Sequence, residues 1–228
     1  MSSPTFHFEK KLWRKGYLVV GVDEVGRGAL AGPLVVGVVC FNPAENGGNH
    51  SLPGIESLGI NDSKKLSPKK REVLAEIIKR EALAFHLTKV SVGFINKYGI
   101  AKSFRKGLIE ALKEMKRKLP FLTRSSQNSN RLFILIDGFY VKYLRGIGLK
   151  NQKAIVKGDE KSISIAAASI IAKVFRDRLM VQLSKKYPKY HWEKNKGYGT
   201  KEHIKALKTF GKTKLHRDLF LRKIVGKT

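Results

Sequence analysis

The chain is short of cysteine, of long apolar runs and of acid, and each shortage removes a class of explanation. Cys40 is the only cysteine in 228 residues, so no intrachain disulfide and no cysteine-based metal site can form. It lies in an apolar stretch and reads as a buried residue rather than a nucleophile. No segment approaches the roughly 18 consecutive apolar residues of a membrane-spanning helix. The first fifteen residues mix His7, Glu9, Lys10, Lys11 and Arg14 and lack the apolar core of a signal peptide, which points to a cytoplasmic protein. Asp and Glu number 18 against 46 Lys and Arg, a formal net charge of +28. That excess is too large for routine solubility and points to a polyanionic partner, most simply nucleic acid. A membrane surface is the competing polyanion, but no long basic amphipathic helix stands apart from the fold. Hydrophobic residues make up 42%, enough for one domain or for a domain with a small appendage.

The most informative stretch is LVVGVDEVGRGALAGPLVVGVV, residues 18–39. Leu18, Val19, Val20 and Val22 form a short β-branched run that suits a buried strand. Asp23 and Glu24 interrupt it. Successive side chains of a strand point to opposite faces, so neighbouring carboxylates are expected to share one site only where the strand bends or ends. Gly26-Arg27-Gly28 allows such a bend and a close backbone approach to a ligand. A second strand is expected over Leu34 to Phe41, which puts the acids near a tight connection between two central strands.

Further along, residues 42–61 hold two prolines and four glycines without a sustained period and read as a surface loop. Ser67-Pro68 opens a helix with serine as cap and proline in the first position. Its apolar stripe is Val73, Leu74, Ile77 and Ile78. A strand is expected at about His86 to Val92, then a helix from about Ala101 whose stripe is Phe104, Leu108, Ala111, Leu112, Met115 and Leu119. The polar segment 123–130 reads as a loop. Leu132 to Ile136 is a strand that ends in Asp137-Gly138, and Ala154 to Val156 is another, ending at Lys157-Gly158-Asp159. A long helix from about Ser162 to Lys186 follows, and its small run Ala166-Ala167-Ala168-Ser169 allows close packing on a sheet. The remainder contains Gly197-Tyr198-Gly199-Thr200, a helix from about Thr200 to Phe210 stopped by Gly211, and a basic tail with His216 and Arg217. The order suits an α/β mixed sheet flanked by helices. A catalytic domain over 1–186 and a small C-terminal helical extension over 187–228 that contributes to substrate binding is the expected division.

Four acids stand out: Asp23, Glu24, Asp137 and Asp159. Each lies at or just beyond the end of a strand-like element with a glycine close by, so a sheet could gather them at one edge. A cluster of like charges needs a cation. An all-oxygen donor set selects Mg²⁺ or Mn²⁺, and two such ions roughly 4 Å apart can activate water and stabilise the leaving oxygen of a phosphodiester. Taken alone, each acid is more simply a cap or a surface charge. Lys64, Lys65, Lys157 and Lys173 are candidate phosphate contacts, with solvated surface lysines as the even alternative. Asp177 reads as a structural ion pair on its helix. His216 reads as a surface or capping histidine rather than a general base. Tyr198 reads as a packed core tyrosine unless its flanking glycines bring it to a ligand.

The motifs GVDEVGRG, GINDSKKLS, LIDG, IVKGD, AAASIIAKVFRD and NKGYGT occur in the order found in ribonuclease HII, the bacterial type 2 ribonuclease H, and the chain resembles that family over roughly residues 17–220. The resemblance implies an RNase H-like fold with a C-terminal helical extension. It implies endonucleolytic cleavage of the RNA strand of RNA–DNA hybrids and at ribonucleotides embedded in duplex DNA, leaving 3′-hydroxyl and 5′-phosphate ends. It makes Asp23, Glu24, Asp137 and Asp159 the metal-binding catalytic carboxylates. Gly26, Arg27 and Gly28 would meet the nucleic-acid backbone and the ribose 2′-hydroxyl, and Tyr198 would stack on or beside the following deoxyribose. Reading the 2′-hydroxyl is what separates RNA from DNA. Asn195 stands where many relatives carry histidine, and Leu219-Phe220 where the family ends in Ser-Phe; neither touches the acids.

Two other readings stay open: a non-catalytic basic nucleic-acid-binding protein, for example a ribosome-associated one, and another two-metal nuclease of the same fold, such as one that resolves branched DNA. The acids discriminate, since a pure binder has no reason to set four carboxylates against a phosphate backbone. The expected partner is nucleic acid and not a membrane, and the chain is expected to be a monomer.

Overall fold

A computed structural model of the chain describes residues 3–43, 55–119, 131–142, 144 and 147–222. Most of the loop expected over 42–61 and all of the polar segment 123–130 lie outside them.

The β-branched runs form a five-stranded sheet of β1 (Tyr17–Val25), β2 (Leu34–Cys40), β3 (Ala84–Val90), β4 (Arg131–Asp137) and β5 (Gln152–Ile155), in the order β3-β2-β1-β4-β5. β1 pairs antiparallel with β2, and β2 antiparallel with β3, whereas β1–β4 and β4–β5 are parallel. The three parallel strands therefore deliver their C-terminal ends to one edge.

Alternation along β1 separates two packed layers. Leu18, Val20 and Val22 join Val36, Val38 and Ile134 beneath Phe104, Leu108, Ala111, Leu112, Met115 and Leu119 of α3 (Val92–Lys118). α3 contains the expected stripe but starts earlier than expected. Ser91 accepts from the Phe94 N–H at 3.3 Å and caps it, which stops β3 at Val90, and the backbone breaks at Gly99 (φ 79°) before continuing. On the opposite face lies α4 (Ile163–Lys186), with α2 (Pro68–Glu81) beside it. α2 is capped by Ser67 as expected, with the Lys70 N–H at 3.3 Å, but only Leu74, Ala75 and Ile78 are buried; Val73 is 55% exposed.

The small residues of α4 face glycines of the sheet. A Cβ on Gly37 would lie 2.6 Å from the Ala168 carbonyl oxygen, and one on Gly21 would collide with the backbone at Ser164. Bare glycines on the sheet and alanines on the helix let the two backbones approach. α1 (His7–Trp13) seals the N-terminal end of α4, where the buried Glu9 carboxylate accepts from the Ser162 hydroxyl at 2.6 Å and the Ser164 N–H at 3.0 Å.

The C-terminal part adds α5 (Trp192–Asn195), α6 (Lys201–Phe210) and α7 (Asp218–Leu221). α6 starts after Thr200, which caps it, and Gly211 (φ 72°) ends it, the bounds that the sequence predicts. These pieces share an apolar cluster of Tyr190, Trp192, Ala206, Leu207 and Leu221 with Met180 of α4 and with Leu30 and Ala31. Their apolar foundation is therefore the segment that follows Gly28. No helix among the described residues is long and apolar enough to cross a membrane.

Candidate active site

β1 runs through both acids and ends at Val25, so the predicted interruption at Asp23 does not occur. The reason is β2, whose ladder continues through Asp23↔Gly37, Glu24↔Val36 and Val25↔Val35. On the other side the pairing with β4 stops at Val22↔Ile136. The edge of β1 is therefore open alongside the acids, and carboxylates on opposite faces of one strand reach the same cleft. Asp137 ends β4, and Asp159 sits on the 3₁₀ turn Gly158–Glu160 just after β5. Val156, expected in that strand, is outside it and exposed.

Asp23, Glu24, Gly26, Arg27, Gly28, Ser63, Lys64, Asp137, Ser169, Lys173 and Tyr198 line one cleft of about 470 Å³. Asp159 is buried beside it, with Asp137 and Asp62 as acidic neighbours. Desolvation, followed by the repulsion of Glu24, raises the Asp23 carboxyl well above the usual aspartate range; the Ser169 hydroxyl and Asp137 act on it too. Desolvation also raises Glu24, against the opposing pull of Arg27. Asp159 is raised to about 6 by burial and then by Asp137 and Asp62. These are desolvated, mutually repelling carboxylates, the environment that a hard divalent cation relieves.

As they stand, no group of three such side chains among the described residues is arranged to hold a metal ion. Three of the four carboxylates are engaged elsewhere. Asp23 accepts from the Glu24 N–H at 2.7 Å, Glu24 pairs with Arg27 at 2.5 Å, and Asp137 accepts from the Gly158 N–H at 2.7 Å. The donor set fits a cation; the side chains rest in intramolecular contacts.

The lysines divide. Lys64 is exposed on the cleft wall, and its ammonium is raised, although partial burial opposes this, by Asp62, Asp159, Asp23 and Asp137. Arg71 fixes that wall by donating to the Ser63 and Leu66 carbonyls, both at 2.7 Å. Lys173 lines the cleft but pairs with Asp177 at 2.8 Å, the ion pair expected of Asp177. Lys65 pairs with Glu160 at 3.2 Å, and Lys157 is exposed in left-handed backbone; neither lines the cleft.

The glycine turn is held from beneath by two buried arginines to which the sequence assigned no role. Arg217 donates to the Gly26 (2.6 Å), Arg27 (3.1 Å) and Gly32 (2.9 Å) carbonyls. Arg176 donates to Ala31 (3.0 Å), Pro33 (3.0 Å) and Lys196 (2.9 Å). With their carbonyls drawn inward, the Arg27 and Gly28 N–H groups form no hydrogen bond among the described residues. The Arg27 guanidinium packs 4.6 Å from the Phe139 ring centroid and 5.8 Å from that of Phe104. Phe139, two residues after Asp137, was also missed; an aromatic beyond a strand end gives no local sign of the arginine it will meet.

Tyr198 is half-buried, its ring beside Lys173 (5.7 Å) and Arg176 (5.3 Å), so it is a cleft wall rather than a core tyrosine. Asn195 shapes its loop by donating to the Tyr190 carbonyl at 2.7 Å and accepting from the Gly197 N–H at 2.8 Å. His216 corrects the sequence reading: it is only 1% exposed, and desolvation lowers it to about 4. Cys40 is buried as expected, and burial pushes its thiol up to about 12.

Comparison with known proteins agrees with this fold. The family model described as ribonuclease HII matches residues 20–223. The ribonuclease HII of Clostridium acetobutylicum is 45% identical over 220 residues, covering 96% of this chain and 78% of that one. The crystal structure of ribonuclease H2 from Pyrococcus horikoshii OT3 is similar with a TM-score of 0.66 and 26% identity, covering 91% of this chain and 96% of that one. That of Bst-RNase HIII in complex with Mn²⁺ is similar in fold at 20% identity and a TM-score of 0.60, covering 89% and 65%. The mixed sheet flanked by helices is the RNase H-like fold that the motifs imply.

Proposed function

The chain belongs to the ribonuclease HII family and is an endoribonuclease, and from that premise we propose that it cleaves the RNA strand of RNA–DNA hybrids and at ribonucleotides embedded in duplex DNA, with Mg²⁺ or Mn²⁺. The products on this reading are a 5′-phosphate and a 3′-hydroxyl. The observation that carries it is the meeting, at one open strand edge, of repelling carboxylates with a turn whose Arg27 and Gly28 N–H groups have no hydrogen-bond partner among the described residues.

In this reading Asp23, Glu24, Asp137 and Asp159 hold the cation. When bound, it lowers the pKa of the attacking water and stabilises the leaving 3′ oxygen. With Glu24 committed to a cation, the Arg27 guanidinium would be free to meet a phosphate. The Arg27 and Gly28 N–H groups face the 2′-hydroxyl and adjacent backbone, a readout that glycine permits because no Cβ intervenes. Tyr198 packs against the deoxyribose on the far side of the junction. Lys64 and Lys173 meet phosphate oxygens at the cleft, and Lys65 and Lys157 do so farther out. The segment 187–228 serves as a substrate-binding extension to a catalytic body over 1–186.

The Asp23→Asn variant tests the assignment. It should lose cleavage of a duplex carrying one ribonucleotide while binding that duplex as well as or better than the parent, because a repelling charge has gone. Retained cleavage, or lost binding with intact folding, contradicts the metal role.

A further inference from the structure

Away from the acids, a buried chain of hydrogen bonds leaves each of its protons only one place. The Thr213 N–H donates to His216 Nδ1 at 2.9 Å, and the Thr213 hydroxyl, itself accepting from the Leu215 N–H at 3.2 Å, lies 3.0 Å from the same atom, so that nitrogen is the bare acceptor and the neutral ring carries its proton on Nε2. His216 Nε2 lies 3.1 Å from His203 Nε2, and the Trp192 indole N–H donates to the same atom at 3.1 Å. His203 Nε2 must therefore be the bare acceptor of both, and its own proton sits on Nδ1, 2.9 Å from the Tyr198 carbonyl oxygen. A second proton on His203 would face two donors, and one on His216 would face the Thr213 N–H. Both rings and the indole are buried and packed with Tyr190. Asp218, the acid nearest His216 in its effect, is engaged by Lys212 at 2.7 Å and Asn96 at 3.2 Å. A polar network that is fully satisfied in a low-dielectric interior is stiff, and it has one arrangement.

Its two ends matter. One is the carbonyl of Tyr198. The other is the tail at His216, whose neighbour Arg217 grips the Gly26 and Arg27 carbonyls. We propose that His203 and His216 are positioning residues for cleavage, a relay that fixes Tyr198 relative to the Gly26-Arg27-Gly28 turn so that both engage one RNA–DNA junction. This rests on the reading that Tyr198 and the turn contact the substrate.

The intact wild-type chain provides a test that needs no substitution. Imidazole ¹⁵N spectra at pH 7 should show His203 as the Nδ1–H tautomer and His216 as the Nε2–H tautomer, both neutral; either opposite tautomer, or an imidazolium, overturns the relay. Kinetics then test its purpose on a duplex with one ribonucleotide. His203→Phe should lower kcat/KM by about 10- to 100-fold, the loss that follows small misplacement of a positioning group. His203→Asn, whose amide can donate to the Tyr198 carbonyl from the Nδ1 position, should recover part of that loss. The double variant with Tyr198→Ala should lose no more than Tyr198→Ala alone. Equal losses in the Phe and Asn variants, or losses that multiply in the double variant, overturn the relay alone. A Tyr198→Ala variant that cleaves like the parent overturns the contact assigned to Tyr198, and with it the relay's purpose.

Discussion

An aspartate at the end of an apolar run carries its own context, and that is why the four acids were legible in the sequence. Strand, carboxylate and glycine are neighbours in the chain, so Asp137 announces the end of its strand and Asp159 follows closely on another without any tertiary information, whereas Asp23 was recognised although its strand runs on to Val25. Arg176 and Arg217 were not legible as turn supports for the opposite reason. An arginine reads as surface charge, and only contacts with carbonyls more than a hundred residues away make each a buried clamp. His216 was misread on the same ground, since its burial depends on Trp192 and His203. The clamp makes a prediction at this scale. Arg217→Lys keeps the charge but loses the fork that spans the Gly26, Arg27 and Gly32 carbonyls. Its preference for a ribonucleotide-containing duplex over all-DNA duplex should fall by about tenfold, equivalent to one charge-assisted hydrogen bond of about 1.5 kcal/mol. Paired cleavage assays measure it, and an unchanged preference would remove Arg217 from the support of the turn.

Elements were legible where a local signal ended them, and misjudged where pairing with another strand did. Ser67 caps α2 as predicted, and α4 and α6 start where predicted, each behind a cap, Ser162 and Thr200, because a cap acts within three residues. The end of β1 was misplaced because its ladder with β2 carries it two residues past Asp23, and no local residue records the partner. The early start of α3 was missed because Gly99 breaks the helical period between its two halves. The packing of α4 on β1 and β2 was anticipated from the helix's alanines, but the glycines that receive them were not. Gly37→Ala would set a Cβ 2.6 Å from the Ala168 carbonyl, which neither backbone can easily yield. The expected cost is about 1–3 kcal/mol, the usual range for overpacking, and the midpoint of urea unfolding reads it. An unshifted midpoint would mean that α4 can lift from the sheet without loss.

At the scale of the whole molecule, a body with a net charge of +28 keeps a small acidic island at its cleft, and the two respond to conditions differently. Without a cation, folded Asp159 keeps its proton up to about pH 6, whereas the unfolded chain releases it near the usual value of 3.8. Between these values the folded state binds more protons, so this group's contribution to stability falls as pH rises and stays lost above pH 6. His216 acts in the opposite sense. Lowered to about 4 from 6.5, it makes stability rise with pH across that window. A divalent cation bound to ionised acids offsets only the first effect. Mn²⁺ or Mg²⁺ should therefore raise the thermal midpoint more at pH 7.5 than at pH 5, and Asp23→Asn should reduce that difference; equal shifts at both pH values would argue against a carboxylate-held cation. The same placement of acids beside a sugar-reading turn sets the most direct test of the account. Two DNA duplexes identical except for a single 2′-hydroxyl are incubated with the protein and Mg²⁺ or Mn²⁺, and the cut ends are mapped. The expected result is one cut beside the ribonucleotide, leaving a 3′-hydroxyl and a 5′-phosphate, and an intact all-DNA duplex. No cut at the ribonucleotide, or equal cutting of both duplexes, would contradict it.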